Sequence, residues 1–256
     1  MSKSIGFIGF GNMAAAMAQN IKESTVRAYD PVSGNIKPPI TAVSSVAELV
    51  ELSDIIIISV KPQIVDKVLP EIKTALTSDK IVVSIAAGIS AKYLSKQLGT
   101  DKIVQTMPNT PMLVGAGASA LSRLDGVSDA EFADVFDIFA ASGVAAEIPA
   151  EQMNAIIAVN GSSPAFIWTF AKAFIDYATE RGIDPSVATK LFAGTLTGAA
   201  KMMTESEDDI ETLIKKVCSP GGTTLAGLDA MEQSGFAESV KSACEACENR
   251  AKEIGK

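Results

Sequence analysis

Gly6-Phe7-Ile8-Gly9-Phe10-Gly11-Asn12-Met13-Ala14 is the stretch on which the fold turns. Its leading residues belong to a short apolar run, as in a strand covered by helices on both faces. Gly9-x-Gly11-x-x-Ala14 then fits the G-x-G-x-x-G/A pattern at a strand-to-helix turn. That spacing permits a tight turn, a close approach of backbone to a pyrophosphate, and close helix-strand packing. A pyrophosphate there meets the positive end of the following helix. A plain tight turn is the alternative, and the strand-turn-helix context weighs against it.

Outward from this turn, short β-branched runs alternate with helical patterns from Ser4 to about Pro149, the rhythm of βαβ units around a parallel sheet. Strands are expected at 4–8, 25–29, 55–60, 81–85 and 102–107. Beyond Pro149 the strand signal stops. Helices are expected there at roughly 150–159, 164–181, 185–204, 208–217, 223–233 and 237–253. Asp184-Pro185 supplies an N-cap followed by a first-turn proline, and Gly182 ends the helix before it. The fold class is therefore α/β: a Rossmann-type doubly wound sheet over residues 1–149, then an all-α domain over 150–256. In that domain Ala193, Gly194, Thr197, Gly198 and Ala200 form a small-residue helix face, suited to a close neighbour within the chain or from a second copy.

Composition narrows the function. The 256 residues are 47% hydrophobic and 20% charged, enough apolar surface for a large core and no case for disorder. A net charge of −8 removes the positive field that nucleic acid or an anionic membrane surface would need. With no histidine, imidazole metal ligands and Ser-His or Cys-His nucleophile pairs are excluded, and no metal site is expected. Three cysteines make no disulfide framework, and Cys244-x-x-Cys247 lies in a helical pattern without a second pair. Apolar runs are too short to span a bilayer. The expected location is the cytoplasm.

Further candidate contacts lie at the C-terminal ends of the other strands, where open α/β sheets bind ligands. Asp30 follows the second strand by the spacing at which an acidic side chain accepts from ribose hydroxyls. It favours NADH by repelling a 2′-phosphate, although Arg27 or Lys37 offers a positive partner nearby. Val60-Lys61-Pro62 and Ala86-Ala87-Gly88 end two further strands. In the helical half, Ser219-Pro220-Gly221-Gly222-Thr223-Thr224 precedes a helix, where glycine backbone, free N–H groups and hydroxyls suit a small carboxylate.

Gly9-Phe10-Gly11-Asn12-Met13, Val60-Lys61-Pro62, Met107-Pro108-Asn109-Thr110-Pro111, Gly161-Ser162-Ser163-Pro164-Ala165 and the Ser219–Thr224 loop occur in this order along the chain. Together they resemble pyrroline-5-carboxylate reductase. The resemblance implies a helical dimerisation domain, homodimers that often assemble into decamers, and hydride transfer from NADH or NADPH to the C=N carbon of a cyclic imino acid, giving proline. It implies that Ser219, Gly222, Thr223, Thr224 and Ser162 hold the substrate. Thr224, with Ser219, is the expected catalytic group, its hydroxyl hydrogen-bonding the ring nitrogen. Gly9, Gly11, Asn12, Met13, Asp30, Val60, Lys61, Pro62, Ala87, Gly88 and Asn109 are the expected dinucleotide contacts. Two departures stand out: Asn160-Gly161-Ser162-Ser163-Pro164-Ala165-Phe166 where many members read S-G-S-G-P-A-Y, and Val46 where an asparagine often touches the cofactor. A β-hydroxyacid-type dehydrogenase would need a helical-domain lysine after Gly161-Ser162, and Lys172 falls a helix length later. A non-catalytic dinucleotide sensor would not need the second anion loop.

Overall fold

A computed structural model describes residues 3–22, 24–32 and 36–255. Among these, β1 (Ile5–Ile8), β2 (Val26–Tyr29), β3 (Thr41–Ala42), β4 (Ile55–Ile58), β5 (Ile81–Ser84), β6 (Ile103–Met107), β7 (Gly117–Arg123) and β8 (Gly143–Glu147) form one sheet. Their spatial order is β3-β2-β1-β4-β5-β6-β7-β8. All neighbours pair parallel except β6 and β7, which pair antiparallel. The order reverses beside β1, with β2 on one side and β4 on the other, which makes the switch point at which doubly wound sheets take ligands.

Helices α1 (Asn12–Asn20), α2 (Val46–Glu51), α3 (Val65–Ala75), α4 (Ala91–Leu98) and α5 (Asp129–Ala140) cover the two faces. Side chains alternate across a strand, so the apolar run Ile55-Ile56-Ile57-Ile58 feeds both cores at once. Ile55 and Ile57 join Phe7, Val83, Met17 and Phe139 on one face. Ile56 and Ile58 join Ile8, Leu49, Ile72 and Leu94 on the other.

The five strands expected from the sequence are present, each ending within two residues of the expectation. Strands β3, β7 and β8 were not expected. β7 reads Gly-Ala-Ser-Ala-Leu-Ser-Arg and β8 Gly-Val-Ala-Ala-Glu, poor in the β-branched residues that mark strands. Their extension comes from pairing with each other and, for β7, with β6.

After β8 the chain is helical, but the single helix expected over 150–159 is three pieces: a 3₁₀ turn (Ala150–Gln152), α6 (Met153–Ile156) and a wide π turn (Ile157–Ser162). Then come α7 (Ser163–Glu180), α8 (Pro185–Glu205), α9 (Ile210–Val217), α10 (Thr223–Gln233) and α11 (Phe236–Ile254). Asp184 caps α8 through the N–H groups of Ser186 and Val187, and Gly182 takes φ +82° after α7.

Two compact units result, residues 1–164 with 244–256, and residues 165–243. Secondary structure changes character at 149, whereas packing changes at 164. In the second unit Phe170, Phe174, Phe192 and Phe236 cluster, with Phe174 stacked on Phe192 at 4.5 Å between centroids. Ala188 is the one buried residue of α8, and α9 and α10 have none. A Cβ added at Gly194 or Gly198 would meet nothing within 4 Å among the described residues.

Candidate active site

The first unit presents a glycine turn at the end of β1. Gly9 adopts φ +87°, and a Cβ there would lie 2.7 Å from Val60 Cγ1 and 3.1 Å from the Ser59 backbone. Only glycine satisfies both constraints cheaply. Gly11 is the N-cap of α1, has no side-chain cap, and faces open space. The first turn of α1 contains no acidic residue, and the hydrogen-bond ladder begins with Ala15 N–H donating to the Gly11 carbonyl. The N–H groups ahead of Ala15 have no intrahelical acceptor. An exposed helix start without a cap or a negative charge fits a dinucleotide pyrophosphate.

Two side chains brace this turn. The Asp30 carboxylate accepts from Phe10 N–H at 2.7 Å and from Val32 N–H at 2.8 Å. Ser59, at the end of β4, donates to the Gly9 carbonyl at 2.6 Å and lies 3.1 Å from that of Ile8. Gly9, Phe10, Asp30, Ser59 and Val60 are thus brought together at the switch point. Arg27 is committed elsewhere, donating to the Leu52 carbonyl at 2.9 Å. Lys37 is exposed, while 33–35 lie outside the described residues. Lys61 N-caps a short 3₁₀ turn beginning at Pro62.

Other candidates have structural employment. Gly88, at φ +78°, lies under the end of α11: a Cβ would come within 2.8 Å of the Ala251 carbonyl and 3.2 Å of Gly255 N. Ala87, beside it, is partly exposed. Asn109 is buried. Its Nδ2 donates to the Asn160 carbonyl at 3.1 Å, and its Oδ1 accepts from Ala118 N–H at 2.8 Å. Val46 is buried among Ile8, Leu49 and Ile58 in the core. Ser162 ends the π turn, partly buried.

The second unit carries the Ser219–Thr224 loop. Gly222 N–H donates to the Ser219 carbonyl at 2.9 Å, closing a tight turn whose third residue, Gly221, takes φ +68°. Gly222 then N-caps α10 without a side-chain cap. A Cβ at Gly222 would fall 2.4 Å from Ser219 Oγ, so this hydroxyl lies folded against the glycine. Ser219, Thr223 and Thr224 are exposed. Thr224 borders a hollow of about 320 Å³ lined by Met202, Met203, Ile214 and Leu228. Among the described residues no His, Cys, Asp or Glu group is arranged to hold a metal ion, and no helix is long and apolar enough to cross a membrane.

Residues 150–254 match the family model for pyrroline-5-carboxylate reductase dimerisation, and residues 4–88 that for coenzyme F420-dependent NADP oxidoreductase. Pyrroline-5-carboxylate reductase of Escherichia coli strain K12 is 37% identical over 268 residues, with 100% of both chains covered. The chain belongs to the pyrroline-5-carboxylate reductase family. The family enzyme of Arabidopsis thaliana is 34% identical over 99% of this chain and 96% of its own. A pyrroline carboxylate reductase of Plasmodium falciparum, solved with NADP bound, matches with a TM-score of 0.91 at 32% identity over 99% of this chain and 98% of that one. Against this family background, Ser59 and Asn160 are the supports that sequence reasoning missed. Ser59 directly precedes the Val60-Lys61-Pro62 segment, the one signal that marked its strand end. Asn160 is visible only as the departure from serine.

Proposed function

We propose that this chain reduces 1-pyrroline-5-carboxylate to L-proline, with hydride from a reduced nicotinamide dinucleotide. The observation that carries this is the full-length family match, which includes both the glycine turn at Gly9 and the Pro-Gly-Gly-Thr-Thr loop at Pro220–Thr224. When bound, the dinucleotide supplies hydride to the C=N carbon. The open N–H groups at Asn12 and Met13 hold its pyrophosphate, with Gly11 leaving room, while Gly9 and Val60-Lys61-Pro62 line the approach and Ala87, Gly88 and Asn109 shape the remaining strand ends.

The substrate carboxylate falls to the Ser219–Thr224 loop, where Thr223 and Thr224 offer backbone N–H groups at an uncapped helix start, Gly222 allows a close approach, and Ser219 and Thr224 offer hydroxyls. Ser162 is a further polar contact. Positive charge on the ring nitrogen disappears during the reaction, so a hydroxyl there orients the ring more than it supplies a proton. That role is Thr224's, and the proton arrives on the substrate or through water.

Finer assignments belong to the same proposal. NADH is preferred over NADPH, supported by the Asp30 carboxylate at the end of β2 and by the engagement of Arg27 with Leu52. The chain self-associates through the matched dimerisation region, and a decamer built from dimers is the larger state the family resemblance supports. Cytoplasmic location is supported by three free cysteines.

The test follows consumption of NADH and of NADPH by absorbance, with racemic pyrroline-5-carboxylate and purified protein. Turnover that falls about a hundredfold in Thr224→Ala, on the order of the loss when one oriented transition-state hydrogen bond is removed, supports the assignment. Dinucleotide binding with no consumption overturns it in favour of a sensor.

A further inference from the structure

The π turn at 157–162 is held by an interlocked pair of buried amides. Asn160, in the turn, is 9% exposed. Its Nδ2 donates to the Met107 carbonyl at 2.6 Å and to the Ala118 carbonyl at 3.0 Å. In return its backbone carbonyl accepts from Asn109 Nδ2 at 3.1 Å, and Asn109 Oδ1 accepts from Ala118 N–H at 2.8 Å. The end of β6, the start of β7 and the π turn are tied through two side chains. Gly161 then lies on Met107, where a Cβ would stand 2.7 Å from Cε.

This arrangement has an unrewarded part. Both Asn160 Nδ2 hydrogens are spent on carbonyls, which fixes the amide orientation, because a flip would set Oδ1 against two oxygens. Oδ1 is buried with no hydrogen-bond partner among the described residues. A buried acceptor without a donor opposes folding, and native structures retain few of them. Serine at 160 would remove the stranded amide oxygen and offer a single O–H, so at most one of the two carbonyls keeps a donor. Wide π turns within helices are frequent at functional sites. We infer that Asn160 is a positioning residue: with Asn109 it fixes the π turn so that Ser162, two residues on, stands in register for the cyclic imino acid, at some expense in stability.

This inference rests on the reductase reading and on Ser162 as a substrate contact. Its test is the Asn160→Ser variant of the full chain, read in three ways. Michaelis kinetics should give a KM for pyrroline-5-carboxylate raised about tenfold, on the order of one lost hydrogen bond, while the Kd for the dinucleotide, measured by titration without substrate, stays within about twofold. The thermal midpoint should be unchanged or higher. Hydrogen exchange should quicken in the peptide spanning 157–163 and stay as in the parent elsewhere. An unchanged KM with unchanged exchange overturns the inference. So does a raised KM accompanied by weakened dinucleotide affinity and a lower thermal midpoint, since that marks general structural damage. Should the parent protein bind dinucleotide without consuming it, the reaction assignment fails, and the exchange arm still decides whether the amide pair fixes the turn. Asn160→Ala, which keeps no donor, should exceed the serine variant in both KM and exchange, and equal effects would argue against the carbonyl contacts as the cause.

Discussion

Asp30 holds Phe10 N–H and Val32 N–H with its two oxygens, so one carboxylate both shapes the glycine turn and sets the sign of charge at the end of β2. Asparagine there keeps one acceptor for the turn and removes the charge. Asp30→Asn should therefore lower the ratio of kcat/KM for NADH to that for NADPH by about tenfold, a change of about 1.4 kcal/mol, measured with both cofactors at one ionic strength. A ratio that stays put would place the discrimination in residues other than Asp30. At this scale the sequence names candidates without saying what they touch. Spacing from Gly9 marks Asp30, a strand end marks Gly88, and the family resemblance marks Asn109. What each touches depends on elements distant in sequence: Gly88 on Ala251 and Gly255, Asn109 on Asn160.

At the scale of elements, α5 shows how local and tertiary terms combine. Ser128 and Glu131 form a capping box, and Glu131 also meets Lys102, one residue before β6, at 2.5 Å. Lys102, then the Ser128 backbone N–H and hydroxyl, hold the Glu131 carboxyl at about 2, below its usual 4.5. Because the folded value is depressed, this group's contribution is present above about pH 4.5 and is lost as pH falls toward about 2. Glu131→Gln should cost about 1 to 2 kcal/mol at neutral pH, discounted for partial exposure of the pair, and should flatten the acid limb of stability in that window. Urea unfolding at several pH values checks both; equal pH slopes in parent and variant would refute the linkage. The helical half was legible as periodicity and caps, but the division of 150–162 into three helical forms was not. A π turn has no local signature here, being fixed by Asn109 and Asn160 across the fold.

For the whole molecule, the second unit leaves several large apolar side chains exposed. Trp168 is 61% exposed, Leu191 67% and Val217 65%. A helical unit that buries so little of itself needs a second surface, and the match of 150–254 to the dimerisation model states which kind. Leu191→Glu should shift the protein to smaller species by light scattering and make its thermal midpoint lower and less dependent on protein concentration. Unaltered mass and midpoint would exclude α8 around Leu191 from the interface.

The sequence by itself determined the doubly wound sheet, the switch from strands to helices near Pro149, the glycine turn and the Ser219–Thr224 loop. Each of these is written in local signals: apolar runs, capping residues, and glycines where backbone must come close. The tertiary structure alone decided strands β7 and β8 at one side of the sheet, the packing boundary at 164 and the buried amide pair. Those depend on partners far along the chain, because extension of a Gly- and Ala-rich segment comes from pairing rather than from propensity, and a side-chain amide takes its role from whichever carbonyls the fold brings within reach.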